Sequence, residues 1–126
     1  MLTIRKAQMA VFGPLGRKAF EERALAHIKK VFPERFEALG EPKLREIIQY
    51  GTQRAAAYRI ISERDVCKYI DVIILYGQDF DKDSHLPWAS SILQNRGLRD
   101  SAVKADRLWR AAKREFAARQ SGAGPS

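Results

Sequence analysis

The chain has 126 residues, 23 Lys and Arg against 15 Asp and Glu, one cysteine and 45% hydrophobic content. That length supports one domain able to bury roughly two thirds of its unfolded surface, and the ordinary apolar fraction excludes wholesale disorder. A single cysteine excludes an internal disulfide framework or a multi-cysteine zinc site, and no apolar run approaches the length of a membrane span.

The periodicity is helical almost throughout. A first segment over residues 3–12 opens at Thr3 and is interrupted by Gly13-Pro14. Helix resumes to about residue 32, with Phe20, Ala24, Ile28 and Val31 on one stripe, and Pro33 ends it. A short turn of helix over 34–39 stops at Gly40, a residue suited to the left-handed position after a helix. Glu41-Pro42 starts the next helix, whose stripe is Leu44, Ile47, Ile48, Gly51, Ala55 and Tyr58. Gly51 costs about 1 kcal/mol of helix propensity there, which marks a place where another helix approaches closely.

Ser62 and the acidic residues after it form a helix start, with negative charge in the positive first turn. Over residues 66–76 apolar side chains surround the axis except for a strip of Arg64, Lys68 and Asp71. Such a helix occupies the centre of a bundle. The run Val72-Ile73-Ile74 also fits a buried strand, but the cap and the lack of any partner strand favour helix. Gly77 ends it, and residues 78–86 read as a polar loop. Pro87-Trp88 opens a short helix to about residue 95, and Asp100 or Ser101 caps a last helix to about 119. Its buried stripe is Ala105, Leu108, Trp109, Ala112 and Phe116, with Arg107, Arg110 and Arg114 opposite. Residues 120–126 lack an apolar anchor and are expected to be disordered. The fold expected is all-α: one domain over 1–119, a compact bundle of five or six helices with no sheet.

Charge is polarised along this chain. Residues 1–33 carry +5, 34–61 carry +1, 62–95 carry −3 and 96–126 carry +5. Basic ends around an acidic centre attract a large acidic partner, protein or nucleic acid.

Asp79, Asp81 and Asp83 are spaced like the start of a calcium loop. Such a loop needs a glycine at its sixth position and a bidentate glutamate at its twelfth, where this chain has Ser84 and Ser90. The carboxylates therefore read as turn caps near the Pro87 helix, with Phe80 and Trp88 folding the loop onto the core. His27 and His85 lack a ligand partner at helical spacing, and His27 reads as a packed, hydrogen-bonded residue. Cys67 lies in the most apolar helix, where burial makes a thiol inert. No nucleophile–base pair, phosphate-cradling glycine loop or paired catalytic carboxylate is legible, so no catalytic residue, metal or cofactor is expected. Arg107, Arg110 and Arg114, with Lys104 and Lys113, could track phosphates or form a solvated outer face. No helix-turn-helix spacing or aromatic platform accompanies them.

The string Ile60-Ile-Ser-Glu-Arg-Asp-Val-Cys-Lys-Tyr-Ile-Asp71, followed by Tyr76-Gly-Gln-Asp-Phe-Asp-Lys-Asp83 and Leu86-Pro-Trp-Ala89, resembles a group of small helical bacterial proteins. They are encoded beside effector and spike genes of type VI secretion systems. Ala26-His-Ile-Lys-Lys-Val-Phe-Pro33, Leu44-Arg-Glu-Ile-Ile-Gln-Tyr-Gly51 and Asp106-Arg-Leu-Trp109 are similar to that group too, so the likeness spans about residues 4–116. Phe12-Gly-Pro-Leu-Gly16 departs from it, where unbroken helix is expected. The resemblance implies a binding role, as a chaperone or adaptor for a cognate effector or spike-associated protein, or as an immunity protein. The pI near 9.9 favours the former, because inhibitors of nuclease toxins tend to be acidic. A basic nucleic-acid-binding protein is the further alternative. No export signal opens the chain, so a cytoplasmic protein without a membrane partner is expected. The candidate partner-binding residues are Arg107, Arg110, Arg114, Asp79, Asp81 and Asp83.

Overall fold

Prolines set four of the helix starts, because a missing N–H costs nothing in a first turn. The computed structural model describes residues 14–120, and Pro14 is the first residue of α1 (Pro14–Val31). Pro33 opens α2 (Pro33–Leu39), Pro42 stands second in α3 (Glu41–Ala57), and Pro87 opens α5 (Pro87–Leu93). The other two helices, α4 (Glu63–Tyr76) and α6 (Ser101–Gln120), begin at side-chain caps. The Asp65 N–H donates to the Ser62 hydroxyl at 3.2 Å, and the Ala102 N–H to Asp100 Oδ1 at 2.9 Å. Of the two residues expected to cap α6, Asp100 does so.

These six helices and one 3-10 turn, Phe80–Lys82, make an all-α bundle with no strand among the described residues. The expected helix over 3–12 lies outside them, as does the expected tail over 120–126 except for Gln120, which is instead the last residue of α6.

The α4 helix is the centre, packed against α6, α3, α1 and the 3-10 turn. Val66, Tyr69, Ile70, Val72, Ile73 and Ile74 are all buried, so the β-branched run is helical and covered from several sides. Neighbours on several sides explain why its apolar residues are not confined to one stripe. Its polar strip is enclosed only at one end: Asp71 is buried, Lys68 is half-buried and pairs weakly with Asp65 and Asp106, at 3.8 and 3.9 Å, and Arg64 is exposed.

Gly51 is where α3 meets α4. A Cβ there would lie 2.8 Å from Ile70 Cγ1, closer than real side chains come, and 3.0 Å from Ile73 Cδ1, tighter than most real contacts. The close approach expected from the sequence is present. The expected stripes of α3 and α6 face the core, with Tyr58, Trp109 and Phe116 half-buried at their rims. Val31 is a correction: it is 47% exposed. The chain bends into α2 directly after it, and Phe32 and Phe36 cover that end of the core instead.

The stretch over 78–86 is less polar in practice than in composition. Phe80 is buried against Tyr69, with ring centroids 5.0 Å apart, and Leu86 is also buried. Trp88 meets Tyr76 edge-on at 5.3 Å. Phe80 and Trp88 thus fold this segment onto the core.

Candidate functional site

The three carboxylates of the acidic segment take separate partners. Asp79 Oδ1 accepts from the Tyr50 hydroxyl at 2.9 Å, and Asp83 Oδ1 accepts from the His85 N–H at 2.8 Å. Asp81 is different. It is 1% exposed, its carboxylate pairs with the Arg54 guanidinium, and it accepts from the Tyr58 hydroxyl at 2.7 Å. Burial alone would push the Asp81 carboxyl up, but Arg54 and Tyr58 outweigh it and hold the group below the usual carboxylate range. Burial and the Asp81 hydrogen bond push the Tyr58 hydroxyl up to about 12. The Tyr69 hydroxyl lies beside the same guanidinium without reaching hydrogen-bond geometry. This corrects the expectation for Asp81: a buried carboxylate cannot meet a partner, and it anchors the loop to α3 rather than capping a turn. Among the described residues no three His, Cys, Asp or Glu side chains converge to hold a metal ion.

The expected basic face lies on α6. Arg107 and Arg114 are exposed and make no ion pair among the described residues, while Arg110 Nε reaches Asp106 Oδ2 at 2.8 Å. Lys113 lies over the Trp109 ring, 5.4 Å from its centroid. Lys104 leaves this group. It turns toward the end of α3, where its Nζ donates to the Tyr58 carbonyl at 3.4 Å.

That contact marks a groove that the sequence reading missed. The α3 helix ends in a Schellman motif: the Arg59 N–H donates to the Ala56 carbonyl and the Ile60 N–H to the Ala55 carbonyl, both at 2.9 Å. Ala55 and Ile60 are both buried beside this reversal. Arg59 therefore occupies the left-handed position that glycine usually fills, at φ 68°. For a residue with a Cβ this costs roughly 1–2 kcal/mol. Opposite it, the α5–α6 connection is fixed at both ends. Asn95 Oδ1 accepts from the Gly97 N–H at 2.8 Å, and Asp100 caps α6. Arg96 and Arg99 stand between these anchors.

Arg59, Arg96, Arg99 and Lys104 line a groove of about 600 Å³, with Leu93 and Leu98 among its apolar lining and no acidic residue in it. That volume lies within the range of small-ligand sites. The side chains of Arg59, Arg96 and Arg99 make no hydrogen bond or ion pair among the described residues. Arg45, by contrast, reaches Glu21, Glu22 and Glu41 at 2.5, 3.0 and 2.8 Å. Concentrated, unneutralised cations at a groove are equipped to bind an oxyanion. One signal for this site was available: the helix over 41–57 reaches Ser62 with no Gly or Pro to turn the chain, so a residue with a side chain had to take the left-handed position.

The remaining titratable groups sit elsewhere. His27 Nε2 lies 3.0 and 2.9 Å from the two Asp71 oxygens, as a packed histidine should. Burial pushes the Asp71 carboxyl up, and His27 opposes that. Burial, with Asp71 and Glu63 nearby, pushes the Cys67 thiol up to about 11, which disfavours the reactive thiolate. No described helix is long and apolar enough to cross a membrane.

No family model, curated protein or solved structure matches the chain.

Proposed function

We propose that this chain is a non-catalytic binding protein of a type VI secretion effector module. In this reading it is a cytoplasmic chaperone or adaptor that holds a cognate effector or spike-associated protein. The class of module comes from the motif string over residues 60–89 and its neighbours. The observation that carries a binding role is the groove at the end of α3, where three arginines have no acidic partner of their own. Charge of this kind acts chiefly on association rate and on the choice of partner.

Co-expression with the effector encoded beside the gene tests the proposal. A chaperone raises the effector's soluble yield and its secretion. An immunity protein instead rescues cells from the toxin without being needed for export. If deleting the gene alters neither effector level, secretion nor self-protection, the secretion-module reading is wrong.

A further inference from the structure

We infer that the groove around Arg59 receives an acidic polypeptide segment, a run of Asp or Glu side chains on a protein partner. This rests on the reading of the chain as a protein-binding accessory and adds the chemistry of what is bound.

The first observation is convergence. Arg59 comes from the end of α3, Arg96 and Arg99 from the α5–α6 connection, and Lys104 from α6. Like charges brought together on separate elements repel one another, and no carboxylate in the lining relieves that repulsion. An incoming carboxylate would. Arginine forks bind carboxylates through paired N–H donors, so three of them favour side-chain oxyanions at successive positions of a chain.

The second observation is independent of charge. Arg59 holds a left-handed backbone conformation that glycine would adopt without strain, yet its side chain makes no ion pair or hydrogen bond among the described residues. Strain kept where the fold gains nothing from the side chain points to use by something outside the fold.

The third concerns the kind of polyanion. Single-stranded nucleic acid is held on aromatic faces on which bases stack. The one aromatic residue lining the groove is Tyr58, whose hydroxyl is bound to Asp81 and whose ring carries Arg54, 5.6 Å from its centroid. Ala57 and Leu98 instead offer apolar surface for the methylenes between carboxylates, and Gln94 and Asn95 offer amides to a peptide backbone.

The test uses the full chain and a fluorescein-labelled hexaglutamate peptide in an anisotropy titration, with a hexalysine peptide and a generic DNA duplex in parallel. The expected result is that hexaglutamate binds, more weakly as salt rises, and hexalysine does not. Arg59→Gly should weaken that binding about threefold while raising the thermal midpoint by a few degrees, because the strain is released. Lys30→Ala, which removes one charge from α1, should change neither. The triple change R59G/R96A/R99A should weaken peptide binding by about tenfold or more. No binding of the acidic peptide, binding indifferent to the triple change, or tighter binding of the duplex would each overturn the proposal. The same triple variant separates this proposal from the broader one. If it still binds the cognate effector as the wild type does, the groove is not the docking site and the accessory role stands. If the wild type binds hexaglutamate but no effector, the accessory role fails and the acid-binding groove stands.

Discussion

Replacing Asp81 by alanine should cost about 3 kcal/mol of folding stability, far more than the loss of a turn cap. The side chain is fully enclosed, at 0% exposure, and through one oxygen it pairs with Arg54 Nη2 and accepts from the Tyr58 hydroxyl, while Arg54 Nε and Asp81 Oδ1 are buried without a partner. Removing one member of a buried ion pair costs about 3–5 kcal/mol, because the other charge is left without a partner. Arg54 keeps 25% of its side chain exposed, so water can take over part of its solvation, and the lower end of that range applies. In thermal terms the midpoint should fall by roughly 10 °C. Urea unfolding followed by tryptophan fluorescence and far-UV circular dichroism measures the loss directly. A double-mutant cycle with Arg54→Met should return a coupling of about 1–3 kcal/mol. The pH dependence carries its own sign. The folded-state pKa of Asp81 is depressed below the ordinary 3.8. Its contribution is therefore present above 3.8 and lost as pH falls through the lower folded value. The stability gap between the wild type and Asp81→Asn should hold down to about pH 5 and close only in stronger acid. A loss of about 1 kcal/mol or less, the size of a capping effect, would refute this account of Asp81.

Gly51→Ala trades about 1 kcal/mol of gained helix propensity against roughly 1–3 kcal/mol of overpacking onto Ile70 and Ile73, for a net loss of about 1 kcal/mol. A more stable variant in urea would contradict the close α3–α4 contact. Calorimetry with calcium should show no binding heat, because Asp79, Asp81 and Asp83 are each engaged elsewhere, and a micromolar response would overturn that assignment. Reversing Arg107, Arg110 and Arg114 to Glu should weaken partner binding, mainly through a slower association rate in surface plasmon resonance. It should leave the fold within about 1 kcal/mol, since the only ion pair lost among the described residues is the exposed one to Asp106. A variant that unfolds would contradict the solvated placement of this face, and one that binds its partner at an unchanged rate would place the interface elsewhere.

The helix order was legible because local chemistry dictates it. Prolines at first turns, Ser62 before an apolar run and Gly40 at φ 82° are signals carried by neighbours in sequence. Gly51 was legible for a related reason: a glycine inside an apolar stripe has few uses other than close packing. The fate of Asp81 was not legible. Its partners Arg54 and Tyr58 stand 27 and 23 residues upstream, and nothing local separates a carboxylate that caps a turn from one that enters the core. Val31 misled in the opposite direction, since periodicity places it on the stripe while the bend into α2 leaves it in solvent. Lys104 and Arg107 lie one turn apart on one helix, yet Lys104 is drawn to the terminal carbonyl of α3. The groove therefore depends on how α3 and α6 meet, which helical periodicity does not encode. Its trace in the sequence is the arginine that turns the chain after α3 where glycine is usual.

The central claim is that this chain binds a protein partner and catalyses nothing. Co-purification with each protein encoded beside it, an effector or spike-associated protein in the proposed reading, followed by size-exclusion chromatography with light scattering, tests this most directly. The account predicts a stoichiometric complex that survives gel filtration at physiological salt and weakens as salt rises. A chain that elutes alone beside every neighbouring gene product, yet binds a defined duplex with a nanomolar, sequence-dependent dissociation constant, would contradict it.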